Sequence, residues 1–372
     1  MPSPQVLDFE QLLEPISEDA PAGIDLRSDA KTSQIYYAVK DARSAARSKE
    51  RNSLIEDGEA HDLSADWRPV LKQAQTLIGQ HSKDLEVTAW LIEALVRLHG
   101  FAGLRDGFRL ARELSERFWD GIYPRPDEDG IETTVAPLSG LNGEDGEGTL
   151  IAPIRGALIT GGQSVGPFAM WHYEQAVALE QITDSEKRER RIADGAVTLQ
   201  QIRQAAAETP ATEFMVLRED LQEALAEFQQ LSAALDERCG PDAPPSSNIR
   251  NMLQSCDETL MFLAGDKLGT SSDAEADPAS PDADSAPATA APSAAPAPGQ
   301  IRGREDAFKI LLDVADFFRR TEPHSPLSYS LEQAVRWGRM PLPDLLADLI
   351  NDTSARDEFF RVTGIPRPDE SD

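Results

Sequence analysis

The sequence predicts an all-α protein: a helical N-terminal domain, a helical-hairpin middle domain, a disordered Ala/Pro-rich linker and a small helical oligomerisation domain. Three observations predict it. Apolar residues recur at three- and four-residue spacing over most of 64–118, 212–264 and 304–350. The strand-like pieces, Thr149–Ile151 and Ala157–Thr160, are short and fit at most one small hairpin. From Ser271 to Gln300 the chain is Ala, Pro, Ser and Asp with no aromatic, no Leu, Ile or Val and no basic residue. Such a segment lacks the apolar surface that offsets chain entropy, so it is expected to be a tether with a span of about 30 Å or more. The parts then run 1–182, 183–266, 267–303 and 304–372.

Each element has its own signal. Ser64 reads as an N-cap and Pro69 falls in the following turn, with Val70, Ala74, Leu77 and Ile78 forming one apolar stripe. A second helix starts near Ser82 or Asp84, buries Leu85, Ala89, Ile92, Leu95 and Val96, and stops at Gly100. A third carries Leu104, Phe108, Ala111, Leu114 and Phe118 and stops at Gly121. Three short-looped amphipathic helices in sequence read as a bundle. Prolines and glycines break the rhythm over 121–167, and helical pattern resumes near Met170.

Thr212–Arg238 is the most regular stretch, with Leu217, Leu221, Leu225, Phe228, Leu231 and Leu235 on one face. Its partner is Asn248–Ala264, and Pro241, Pro244 and Pro245 make the turn between them. This is an αα-hairpin. The seam Leu217, Leu221, Leu225, Phe228, Leu231 suits packing within the chain and dimerisation equally well.

After the Ala/Pro-rich segment three short helices fit. The first, Arg304–Arg320, carries Phe308, Leu311, Leu312, Ala315 and Phe318, with Ile310, Val314 and Phe317 beside them. The second opens at Ser325 and Pro326 and carries Leu331, Val335 and Trp337. The third opens at Pro341 and Pro343 and carries Leu345, Leu346, Leu349 and Ile350. A unit of roughly 60 residues buries only about 60% of its unfolded surface. So wide an apolar girdle on so small a unit calls for partners, most simply copies of itself. The expected oligomerisation residues are Phe308, Leu311, Leu312, Phe318, Leu331, Trp337, Leu345, Leu346, Leu349 and Ile350.

Charge excludes several functions. The formal net charge is -29 over 372 residues. Nucleic acid is disfavoured, because its affinity comes from Lys and Arg neutralising phosphates, and an anionic membrane surface is disfavoured likewise. The basic stretch Lys40, Arg43, Arg47, Lys49 and Arg51 is diluted by Asp41 and Glu50 and reads as a solvated helix face. Two cysteines without Cys-x-x-Cys spacing, an acidic N-terminus and no run of about 18 apolar residues lead us to expect a cytoplasmic protein without membrane insertion.

No active site emerges. Gly162-Gln163-Ser164-Val165-Gly166 fits the G-x-S-x-G pattern, which works only on a strand-to-helix turn above a parallel sheet with a later acid and histidine. Here no βα repeats surround it, His172 is too close and His324 lies past the linker, so a glycine-rich loop is expected, with a Ser164 hydrolase as the rival. The five histidines and two cysteines show no metal-ligand spacing. Placing Gly130 at the sixth position of a calcium loop puts Arg125 first and Ala136 twelfth, where acids are needed. No cofactor is expected. A monomeric adaptor that binds an effector or chaperone through the middle hairpin is the other rival.

Several segments carry a resemblance. Pro15–Leu26 (PISEDAPAGIDL), Asp66-Trp67, Lys83-Asp84-Leu85, Trp90-Leu91, Gly100 and Phe118-Trp119-Asp120 are similar to the ImpA N-terminal domain of TssA proteins, as is Leu138–Arg155 with Asn142-Gly143. Arg304–Ala307, Thr321–Pro326 and Trp337–Pro343 resemble the C-terminal domain of shorter members of that family. The resemblance implies a bacterial type VI secretion scaffold without catalytic residues. It implies a ring-like homo-oligomer that contacts baseplate, membrane complex, inner tube and sheath and primes or coordinates tail assembly. Within the ring Trp337 is the expected anchor, or else a core residue of its own domain; Trp67, Trp90 and Trp119 are expected in the N-terminal core.

Overall fold

The computed structural model describes residues 2–56, 64–144, 146–268, 304–321, 326–340 and 345. Among them every regular element is helical, and extended backbone pairs only through isolated bridges. The chain divides into two compact units, Met1–Pro278 and Ala279–Asp372. The expected linker, 269–303 in particular, lies outside the described residues, as do Leu346, Leu349 and Ile350.

The first unit holds α1 (Phe9–Leu13), α2 (Thr32–Glu56), α3 (Ser64–Gln80), α4 (Leu85–Phe118), α5 (Ile131–Asn142) and α6 (Ile151–Gly156). It continues with α7 (Met170–Glu180), α8 (Ser185–Ala193), α9 (Leu199–Glu208), α10 (Ala211–Cys239) and α11 (Ser247–Ala264). The centre is α4, against which α1, α3, α5, α6 and α10 all pack. Its start is fixed by Asp84, whose carboxylate accepts from the backbone N–H of Glu86 (2.8 Å) and Val87 (3.1 Å).

Gly100 breaks α4 at φ 56° and ψ -135°, so α4 is the two expected helices joined at a hinge. The hinge folds one half back along the other. A Cβ on Gly103 would lie 2.2 Å from the Leu95 carbonyl oxygen, and one on Gly107 would lie 2.9 Å from the Ile92 side chain. In a straight helix, residues 92 and 107 stand about 22 Å apart. By length and composition alone Leu85–Gly121 is apolar enough to cross a membrane, although Glu86, Glu93, Arg97 and Arg105 interrupt its apolar run. It is hinged at its middle and mostly buried against the rest of the unit.

The hairpin α10–α11 forms as expected, and its seam closes within the chain. Leu221, Phe228 and Leu231 are buried, Leu217 and Leu225 pack half-buried against the same core, and the Phe228 ring meets Phe108 of α4 at 4.9 Å. Along this face the seam is packed within the chain, against α4. Residues of α4, α10 and α11 share one hydrophobic cluster that spans the expected boundary at 182/183.

Residues 121–167 depart most from expectation. Pro137 sits inside α5 and Pro153 inside α6, near its start, where the missing N–H has no helical acceptor to lose. The expected pairing of 149–151 with 157–160 does not form, because Ile151 already belongs to α6. Instead the Ile159 and Thr160 amides donate to the Phe168 carbonyl at 2.9 and 3.2 Å.

In the second unit α12 (Arg304–Thr321) and α13 (Leu327–Arg339) pack against each other around Ala315, Ser328 and Val335, all three buried. At Gly338 the two are in close contact: an added Cβ would meet the Phe308 ring at 2.5 Å.

Candidate functional site

The Pro15–Leu26 motif acts as a structural lock. Lys83 donates its backbone N–H to the Ala22 carbonyl (2.8 Å), and the Ile24 amide donates to the His81 carbonyl (3.1 Å). Gly23 has φ 79°, and a Cβ there would stand 2.1 Å from the His81 carbonyl oxygen, so the motif requires glycine. On the other side of the same segment, the Tyr123 amide donates to the Lys83 carbonyl (2.9 Å) and the Leu85 amide to the Tyr123 carbonyl (2.7 Å). Beneath them the fully buried Lys83 ammonium donates to the carbonyls of Leu12 (2.8 Å) and Ile78 (3.0 Å), joining the ends of α1 and α3. Burial pushes its pKa down to about 8.

Ion pairs run through this core. Arg27 donates to Asp84 (2.8 Å) and to Glu86, which also accepts from the Tyr36 hydroxyl (2.8 Å). Burial opposes the Arg27 charge, but Asp84 and Glu86 outweigh it and hold the guanidinium pKa above its ordinary value. Glu93, with no exposed surface, accepts from Arg43 at 2.6 and 3.2 Å and from the Thr149 hydroxyl at 2.7 Å. Arg97 pairs with Glu50 (2.8 Å) and lies 4.0 Å over the Trp67 ring. Arg105 ties α4 to α10 through Asp220 (2.8 Å) and accommodates the N-terminal segment by donating to the Ser3 carbonyl (2.9 Å). Thus the basic stretch is not a purely solvated face, because Arg43 reaches inward to a buried acid. Trp67 and Trp90 are core residues, while Trp119 is half-buried at the core's edge.

The Ser164 loop is closed by Glu208. Its carboxylate accepts from the amides of Gln163 and Ser164, both at 2.8 Å, and from the Ser164 hydroxyl, which in turn accepts from Gln204 Nε2 (2.9 Å). These bonds hold the Glu208 pKa down to about 2. The partners of Ser164 are therefore a carboxylate and an amide. The His172 imidazole instead accepts from the Ala169 amide (3.0 Å) and stacks on Trp171, and burial lowers its pKa to about 4. Asp127 caps its own turn, accepting from the Asp129 amide (3.0 Å) and the Thr133 hydroxyl. Among the described residues no group of three or more His, Cys, Asp and Glu is placed to hold a metal.

Among its described residues the second unit exposes apolar side chains on both of its helices. Phe308, Leu311, Leu312, Phe318, Leu331, Trp337 and Leu345 are each half-buried. The more exposed stripe is the one beside them: Ile310 and Val314 at 37%, Phe317 at 57% and, from α13, Tyr329 at 64%. Ile310, Val314 and Phe317 fall at i, i+4 and i+7, a spacing readable in the sequence that marks one helix face. Arg319 pairs with Glu332 and lies 5.8 Å over the Tyr329 ring, fixing α13 to the end of α12.

Comparison with known proteins fits this architecture. Residues 13–143 match the family model described as ImpA, N-terminal, type VI secretion system. Over 364 residues the chain is 28% identical to the type VI secretion system component TssA1 of Pseudomonas aeruginosa, covering 96% of this chain and 98% of that protein. The chain is similar to TssA components of type VI secretion systems along nearly its whole length. The solved N-terminal domain of the TssA component from Burkholderia cenocepacia, which includes the conserved ImpA N-terminal region, matches with a TM-score of 0.59 at 26% identity. That match covers 72% of this chain and 98% of the other. The region matched by the family model holds the lock at Gly23 and Lys83, the Arg43–Glu93 pair and the hinge at Gly100. Both matched proteins are components of type VI secretion systems.

Proposed function

We propose that this chain is a non-enzymatic scaffold that self-associates into a ring through residues 304–372 and primes or coordinates assembly of the contractile tail. Baseplate, inner tube, sheath and membrane-complex proteins are its partners in this reading, and its setting is the bacterial cytoplasm beside the secretion apparatus. The observation that carries it is the stripe Ile310, Val314, Phe317 with Tyr329, exposed on a unit too small to enclose it. Apolar surface of this kind gains most by meeting its like in further copies. A ring of copies, each carrying its first unit across the Ala/Pro-rich sequence, gains avidity for a repetitive tail surface without any single tight contact.

Light scattering on the full chain tests this. The expected result is a mass several times the 40.7 kDa protomer, reduced toward it by Phe317→Asp with helix content kept. A monodisperse 40.7 kDa particle at high concentration would defeat the proposal.

A further inference from the structure

Helix α2 carries Arg43, Arg47 and Arg51 at i, i+4 and i+8, so the three stand in one row with neighbours about 6 Å apart. Arg97 of α4 joins the same positive region, and among the described residues Glu93 and Glu50 pair with Arg43 and Arg97 there. Both acids are already engaged. Glu93 holds Arg43 and the Thr149 hydroxyl, and Glu50 holds Arg97 through Nε (2.9 Å) and Nη2 (2.8 Å). Among the described residues Arg47 and Arg51 have neither an ion-pair nor a hydrogen-bond partner, although Arg47 is half-buried. Burial lowers the Arg47 pKa; Glu93 opposes that shift, and Arg43, Arg97 and Arg51 add to it. Like charges one helical turn apart repel. In a chain of net charge -29 the described residues here hold a local surplus of positive charge beside the two satisfied pairs.

We propose that Arg47 and Arg51 form a docking row for an acidic helix of a protein partner that presents two carboxylates one turn apart. Guanidinium forks take carboxylates in bidentate fashion, and an i, i+4 pair of Asp or Glu repeats at the spacing of the two arginines. A lone phosphate occupies one fork and leaves the second unmet. A nucleic acid strand meets the repulsion of the whole acidic surface.

The probe is a fluorescein-labelled Ala-rich helical peptide with Glu at i and i+4, titrated with the full chain at low salt by fluorescence anisotropy. Saturable binding is expected. The Arg47→Gln/Arg51→Gln double variant should weaken it at least tenfold, and Arg51→Gln alone, at an exposed position, at least threefold. Lys40→Gln on the same helix should leave it unchanged, and a Gln version of the peptide should not bind. Equal affinity in wild type and either variant overturns the proposal. So does displacement of the peptide by an equal concentration of inorganic phosphate, which assigns the arginines to a small anion. Higher thermal stability of the double variant with unchanged peptide binding also overturns it, leaving a merely repulsive helix face.

Discussion

The two units of the chain solve opposite halves of the burial problem. In residues 2–268 charge goes inside: Lys83, Asp84, Glu93, Arg105, Asp106 and Asp220 are buried, each with hydrogen-bond partners. Large exposed hydrophobic residues there are scattered over α1 to α11 and their loops, as at Ile24, Leu158 and Phe262. In α12 and α13 the order is reversed. Ala315 and Val335 make a thin buried core, while Ile310, Val314, Phe317 and Tyr329 face outward on two helices. A unit with enough residues to surround α4 closes on itself and can hold ion pairs in its interior. A unit of two described helices leaves apolar surface for others to cover.

Four changes sharpen that comparison. Glu93→Ala should be the most damaging, because it strands Arg43 and the Thr149 hydroxyl in the interior. A loss of about 3–5 kcal/mol is expected from breaking a buried pair, read by urea unfolding of the first unit. A loss under about 1 kcal/mol would mean that water reaches the site freely.

Lys83 follows. Its pKa falls from 10.5 to about 8 in the folded chain, so between those values the unfolded chain holds the proton more tightly. The Lys83 contribution to stability therefore rises with pH across that window, by up to about 3 kcal/mol. Met cannot titrate, so the stability difference between wild type and Lys83→Met should grow by that amount from pH 8 to 10.5. A flat difference would show that the Leu12 and Ile78 carbonyls fully compensate the buried ammonium.

Gly338→Ala should act only on the second unit. The methyl displaces the half-buried Phe308 ring, at an expected cost of about 1 kcal/mol, seen as faster amide exchange in 304–340. Unchanged exchange there would show that the ring simply swings aside. Glu208→Gln should be the mildest, quickening amide exchange at Gln163 and Ser164 without changing global unfolding. In the wild type the same loop should loosen as pH falls from 4.5 through about 2, since the carboxylate form holds the loop and is lost on protonation.

What could be read from the sequence follows the range of the physics. Asp84 as a cap, Gly100 and Gly121 as stops and the apolar face of Thr212–Arg238 depend on neighbours within a turn or two, and each was legible. The Glu93 cluster was not, because Arg43 and Thr149 lie 50 and 56 residues away and nothing local marks a glutamate as buried. The basic stretch was read as solvated for the same reason. Prolines over 121–167 misled because Pro137 and Pro153 sit inside α5 and α6 rather than between elements. Of the candidate surface, the apolar richness of 304–350 was plain. Which stripe faces outward depended on how α13 lies on α12, so Ile310, Val314 and Phe317 were placed beside the candidate residues rather than among them.

The division of labour between the two units is tested most directly by light scattering on residues 1–268 and the full chain side by side. The account predicts a folded monomer for the truncated protein and a particle of several copies for the full chain. Equal copy number in both, whether one or many, would contradict it.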